Sequence, residues 1–427
     1  MDLAQESNFK NGILGDKRMQ SAVTADVGAK SGSNWTTVGL CLVAAILEGI
    51  DLQSAGVAAP GLRADFGLDP AQLGLVFSAS IFGLLPGAAI GGRLADFYGR
   101  KQVLIGSMLL FGLFSIATAL SWDYQTLLLA RFLTGLGLGG AMPNLIALSA
   151  ESVKPQSRNI AVSIMYAGMP FGGLLVSIFA LVFGATWGWH SIFYFGGVAP
   201  LVIAPLLYFM LPESPLFEQR KAAVGAAVDR EGIFSALFGG GRATPTVLLW
   251  VAYFFTLIVL YFLQNWLPTV VIGAGFTREA ANTVQMAFNI GGVLGSLGTG
   301  FVMDRGPRKM GVALVYIGLI GSMVGLAYTK SFTGLLLGGF GGGMFSIGGQ
   351  MVLYGLAPVF YHTLIRGTGV GAAVAVGRLG SIVGPLAAGQ LLSAGSGTTA
   401  VIAATFPGII VAAIAAQGLL FRKPTAD

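Results

Sequence analysis

The sequence predicts an all-α integral membrane protein, with twelve transmembrane helices arranged as two pseudo-symmetric six-helix bundles. Three observations predict it. Of the 427 residues, 55% are hydrophobic and 10% charged, whereas a soluble chain carries roughly 25% charge. A water-soluble fold of this size would lack the polar residues to cover itself. Apolar runs of about 20 residues, long enough to cross a bilayer, recur along the chain. A ten-residue polar signature that follows the second run returns after the eighth.

Taken in order, residues 1–34 are polar and of mixed charge, with Lys10, Lys17, Arg18 and Lys30. They lack the apolar core of a signal peptide and read as a disordered cytoplasmic tail. The N-terminal bundle, 35–211, holds apolar runs at 36–59, 71–92, 102–121, 124–150, 159–183 and 190–211. A polar stretch at 212–245, containing Glu213, Glu218, Arg220, Lys221, Asp229, Arg230, Glu231 and Arg242, is the cytoplasmic linker. The C-terminal bundle, 246–421, holds runs at 246–272, 279–303, 310–329, 332–357, 366–391 and 398–421, and residues 422–427 form a short cytoplasmic tail. The 65 glycines show no collagen-like period and suit membrane helices that pack through small residues.

Charge sets the orientation. Of the 24 Lys and Arg, Arg63, Arg278 and Lys330 fall in loops on one side, Arg131 and Arg378 lie inside spans, and the rest occupy the tails, linker and loops of the other side. The positive-inside rule makes that other side cytoplasmic, with both termini there. Basic residues confined to short loops do not form a nucleic-acid face. The single cysteine, Cys41, sits in an apolar run and reads as a packing residue, without disulfide or thiol-metal chemistry. No metal cluster, phosphate loop or activated nucleophile is apparent, so neither an enzyme nor a cofactor is expected.

The repeated signature runs Gly92-Arg93-Leu94-Ala95-Asp96-Phe97-Tyr98-Gly99-Arg100-Lys101 and Gly300-Phe301-Val302-Met303-Asp304-Arg305-Gly306-Pro307-Arg308-Lys309. Gly, Asp, Arg and Lys recur at the same offsets at equivalent points of the two halves. Duplicated six-helix halves joined by a cytoplasmic linker resemble the major facilitator fold, in which the halves rock about a midplane site. The two loops resemble that superfamily's loop motif, as do Arg131-Phe132-Leu133-Thr134-Gly135-Leu136-Gly137-Leu138-Gly139 and Pro212-Glu213-Ser214-Pro215. Asp96, Arg100, Lys101, Asp304, Arg308 and Lys309, with Glu151 and Arg158, read as a cytoplasmic gate of inter-helix charge pairs. Topology alone would explain the basic residues but not the paired aspartates.

Ionisable groups inside spans are costly and are functional candidates. Glu48 and Asp51 stand three residues apart, on one face of the first helix, near mid-depth. Two carboxylates so placed cannot both ionise cheaply, which suits proton coupling; the alternative is a structural pair buried against an arginine. Arg131, beside glycines that admit a close neighbour, reads as a charge partner for the first span. Arg378, at mid-depth in the eleventh, suits bidentate capture of a substrate carboxylate, or an ion pair with Glu48 or Asp51. Gln264, Asn265, Asn289, Gln350, Tyr354, Asn144 and Tyr166 are further substrate-binding candidates. Tyr253, Tyr261 and Gln285 share the same spans, and Trp266 reads as an interface anchor. Gly168-Met169-Pro170 and Gly384-Pro385 carry kink signatures and read as pivots.

Within the superfamily, Glu48-Gly49-Ile50-Asp51 resembles the acidic-Gly-x-Asp motif of aromatic acid:proton symporters, with Glu in place of the usual first Asp. Leu47 to Gln53, Pro143 to Leu148 and Gly371 to Gly380 resemble bacterial 3-(3-hydroxyphenyl)propionate transporters. That resemblance implies uptake of a phenylpropanoid-type aromatic carboxylate across the bacterial inner membrane. It implies coupling to a proton gradient through Glu48 and Asp51, with no metal, no cofactor, no nucleic-acid partner and a monomeric chain in lipid. Rival readings are an importer of hydroxybenzoate or another organic acid, a sugar porter, for which Arg378 would have no anion, a drug:proton exporter, and a transporter-like nutrient receptor without flux.

Overall fold

A computed structural model describes residues 33–214, 217–218, 232–305, 307–362 and 365–422, without the side chains at 155, 159, 185, 233, 300, 301 and 303–305. Residues 1–32 of the expected tail and much of the linker therefore lie outside the described residues. The first half contains α1 (Trp35–Phe66), α2 (Pro70–Tyr98), α3 (Arg100–Ala119), α4 (Tyr124–Glu151), α5 (Arg158–Trp187) and α6 (His190–Met210). The second contains α7 (Ala243–Gly273), α8 (Arg278–Arg305), α9 (Arg308–Tyr328), α10 (Phe332–Leu356), α11 (Arg366–Ser393) and α12 (Thr398–Leu419), the last interrupted near Thr405. A short helix, Ile233–Phe238, precedes α7.

Polar caps punctuate these apolar rods. Asp69 and Gln72 form a capping box at α2, Asp123 and Thr126 another at α4, and Ser331 caps α10, each satisfying N–H groups left open at a helix start. Gly67, in the left-handed region at φ 63°, turns the chain out of α1.

Among the described residues, eleven helices are long and apolar enough to cross a bilayer. Within α8, Asn282, Gln285 and Asn289 are all buried. Its polarity faces protein.

Packing repeats between halves: α2 pairs with α4 as α8 pairs with α10, and α1 with α5 as α7 with α11. Backbone touches backbone at equivalent glycines. A Cβ on Gly135 would lie 1.8 Å from the Ser80 carbonyl oxygen, and one on Gly343 would lie 1.8 Å from that of Phe288. The halves meet where α5 lies on α8 and α2 on α11.

At the end of the bundle away from the two repeated loops, the halves are drawn together. The Ala71 N–H donates to Ser393 Oγ at 3.0 Å and Ser78 Oγ to the Ile382 carbonyl at 3.1 Å, while Gly56 of α1 abuts the Gln264 and Asn265 backbone of α7. Trp266 belongs to this seal and is not an interface anchor. It is fully buried, donates from Nε1 to the Pro385 carbonyl at 3.1 Å and meets Phe77 edge-on at 5.1 Å. Its depth within α7 resembles that of an anchor, but its azimuth faces the opposite half.

Candidate functional site

Glu48 and Asp51 leave the same helix yet meet different surroundings. Asp51 is fully buried and paired with Arg131 of α4, whose Nη1 lies 3.2 and 3.4 Å from the two carboxylate oxygens. The guanidinium also lies 5.3 Å from the Phe193 ring centroid of α6, so the charge is enclosed by its counter-ion and an aromatic face. This pair lies inside the first half and ties α1 to α4. Glu48, 1% exposed, has no hydrogen-bond partner for either carboxyl oxygen among the described residues. The charges whose fields reach it are Arg378, from the opposite half, and Asp51. The expected coupled acid pair is therefore divided into one compensated carboxylate and one solitary acid. Spacing predicts a shared face but not that a cation on α4 takes only one of them.

Arg378 of α11 is buried, donates from Nη1 to the Tyr261 hydroxyl and lies 6.0 Å from that ring's centroid. It forms no ion pair with Glu48 or Asp51. Around it a hydrogen-bond chain crosses between halves: Tyr166 of α5 donates to Gln350 Oε1 at 2.7 Å, and Gln350 Nε2 donates to the Tyr354 hydroxyl at 3.3 Å. The Tyr166 and Tyr354 rings meet edge-on at 5.7 Å, and Tyr354 meets Tyr253 at 5.9 Å. Tyr166, Gln350 and Tyr354 thus converge across the half interface, and Arg378, held against the Tyr261 hydroxyl, acts on Tyr354 and Tyr166 through its charge. A guanidinium with four donors beyond the one given to Tyr261, set among edge-on phenol rings, can hold a carboxylate at one end and an aromatic ring at the other.

Other candidates are occupied elsewhere. Asn289 exchanges two hydrogen bonds of 2.9 Å with Gln53 of α1, and Gln285 donates to the same Gln53 oxygen at 3.0 Å. This amide cluster joins the halves. Asn265 donates to the Tyr261 carbonyl at 2.9 Å and Asn144 to that of Gly140 at 2.8 Å, each turned back on its own helix. Gln264 is buried beside Gly56. The sequence reading missed Gln53; the available signal was an amide one turn beyond Glu48, opposite an i,i+4 amide pair on α8.

At the repeated-loop end, Arg100 and Glu151 form an ion pair between α3 and α4. Glu213 Oε1 accepts from the backbone N–H groups of Arg100, Lys101 and Ser214, capping α3, and Ser214 Oγ donates to Glu151. Lys101 lies over the Tyr208 ring at 5.0 Å, and Lys309 over Phe421 at 4.0 Å. These contacts each stay within one half, so they brace helices and do not latch one half to the other. Asp96 and Arg158 are exposed and form no ion pair with a described residue. Arg308 opens α9; the Asp304 side chain lies outside the described residues.

Polar groups gathered at mid-depth between two repeated helix bundles define a secondary transporter, a class that moves its cargo unaltered by rocking one bundle against the other. The chain belongs to the Major Facilitator Superfamily, whose family model matches residues 41–365. It is 49% identical to a 3-(3-hydroxy-phenyl)propionate transporter of Escherichia coli K12, over 92% of this chain and 96% of that one. It is 36% identical to the 4-hydroxybenzoate transporter PcaK of Pseudomonas aeruginosa (91% and 92% covered) and 35% to a gallate transporter of Pseudomonas putida (85% and 86%). A crystal structure of a D-xylose-proton symporter superposes with a TM-score of 0.71 at 20% identity, covering 90% of this chain and 97% of that one, a likeness of fold.

Proposed function

We propose that this protein imports an aromatic carboxylate, 3-(3-hydroxyphenyl)propionate or a related hydroxyaromatic acid, together with protons. The observation that carries the proposal is a buried acid without a hydrogen-bond partner in the first half, Glu48, together with a buried guanidinium against a tyrosine hydroxyl in the second, Arg378. Arg378 takes the carboxylate, Tyr166, Tyr261 and Tyr354 flank the ring, and Gln350 offers an amide to a ring hydroxyl. Burying a carboxylate without hydrogen bonds is costly, so Glu48 is the group on which a proton travels. Asp51 is held by Arg131 and acts as scaffold. Relatives named for three hydroxyaromatic acids support the substrate class, and a neutral sugar would give Arg378 no counter-ion.

The repeated-loop end is the cytoplasmic one on the positive-inside rule, in a bacterial inner membrane, with both termini inside. An anion entering against an interior-negative potential loses about 2.3 kcal/mol per charge per 100 mV, and a co-moving proton removes that cost. No cofactor is required and the monomer contains the whole site.

Uptake of labelled acids by proteoliposomes tests the reading. External acidification should accelerate accumulation of 3-(3-hydroxyphenyl)propionate, which the unlabelled acid inhibits and its neutral amide does not. Arg378→Lys, which loses the planar fork, should raise the half-saturation concentration about tenfold. Equal inhibition by acid and amide would remove the carboxylate from recognition; export against an inward proton gradient would favour the drug:proton exporter reading.

A further inference from the structure

Above the Trp266 seal, at the end where the halves are drawn together, lies a cavity of about 390 Å³. Its walls come from both halves: Ala59, Pro60 and Arg63 of α1, Pro70 and Leu73 of α2, Trp266 to Gly273 of α7, and Leu392 and Thr398 of α11 and α12. The lining is apolar apart from Thr269, Thr398 and one charge, Arg63. That guanidinium is exposed and forms no ion pair among the described residues. The nearby carboxylates are committed, Asp65 accepting from Trp189 Nε1 at 2.6 Å and Asp69 capping α2. The space is of the size that holds a small organic ligand, and its chemistry, one guanidinium above apolar and aromatic walls, repeats in outline that of the Arg378 site. Trp266 separates the two, one helical turn beyond Tyr261 on α7.

We propose that this cavity is an entry subsite, where Arg63 first binds the carboxylate of an incoming aromatic acid before the Trp266 seal opens to the Arg378 site. The inference rests on the proposed substrate class and orientation. Because α1 and α7 both line the cavity and both close the seal, a ligand here sits between the surfaces that part in the opposite conformation.

Uptake kinetics in right-side-out proteoliposomes test it, using labelled 3-(3-hydroxyphenyl)propionate. An exposed charge contact is worth at most about 1 kcal/mol, so Arg63→Gln should raise the half-saturation concentration for uptake about threefold and Arg63→Glu about tenfold. The maximal rate and the half-saturation concentration for efflux should not change. The effect should shrink in high salt, where an exposed contact is screened. Arg278→Gln, a charge at the same end outside the cavity, is the control. Thr269→Phe, which fills the cavity while keeping Arg63, should also raise the uptake value. If the parent protein transports the acid and all Arg63 and Thr269 variants keep its uptake value, the subsite is refuted while the function stands. An equal change in uptake and efflux, or an equal effect of Arg278→Gln, also refutes it. Absence of transport by the parent protein refutes the underlying function instead.

Discussion

At the scale of single residues, four ionisable groups on three helices are distinguished only by what each touches. Asp51 and Arg131 compensate each other, and removing one partner of a buried pair leaves an uncompensated charge worth about 3–5 kcal/mol of destabilisation. Asp51→Asn or Arg131→Gln should therefore each lower the thermal unfolding midpoint in detergent, and the double variant should recover much of the loss. Additive losses would mean that the pair is not coupled. The sequence shows that four charges are out of place, and the depths of Glu48 and Arg378 follow directly from their positions in their spans. Which acid meets which arginine is not legible there, because it depends on the rotation of α4 and α11 about their axes. Trp266 illustrates the same limit: depth is a one-dimensional property and azimuth is not.

At the scale of elements, the helices are close because their glycines let backbones touch. Gly135 meets the Ser80 carbonyl oxygen and Gly343 that of Phe288, so an added methyl must push the helices apart. Gly135→Ala and Gly343→Ala should each cost about 1–3 kcal/mol, in the range of overpacking. Gly355→Ala, with nothing within 4 Å of its Cβ, should be neutral or gain up to about 1 kcal/mol from helix propensity. Unfolding of the three variants in parallel reads this directly. Span number and order are legible because a bilayer demands about 20 apolar residues each time. In α8 the amides Asn282, Gln285 and Asn289 are buried, so an apolar span carries a polar face toward protein. The kink signatures at Pro170 and Pro385 fall on the half interface, Pro170 against Gly292 of α8 and Pro385 beneath Trp266.

At the scale of the whole molecule, repeated pairings within each half build two similar bundles, and three of the contacts between them bear directly on passage of a cargo. Gln53 with Gln285 and Asn289 forms an amide junction, Tyr166 with Gln350 and Tyr354 a phenol-amide chain, and Trp266 with Phe77 an apolar seal. The first two can exchange partners with a polar cargo, while the third must separate to admit one. The repeated loops announce the duplication in the sequence, yet the contacts of Arg100, Lys101 and Lys309 each stay within one half. A motif's composition thus indicates where a charge network lies without showing what it joins. Arg378 and Glu48 stand on helices of different bundles, so rocking one bundle against the other changes the separation of the anion-binding cation from the acid.

The central claim is that the proton travels on Glu48 while the anion is held by Arg378, and Glu48→Gln separates the two tasks. Proteoliposomes bearing this variant should be assayed for 3-(3-hydroxyphenyl)propionate accumulation under an inward proton gradient and for counterflow exchange without one. Retained exchange with gradient-driven accumulation lost would match the account; accumulation at the parental level with its pH response intact would contradict it.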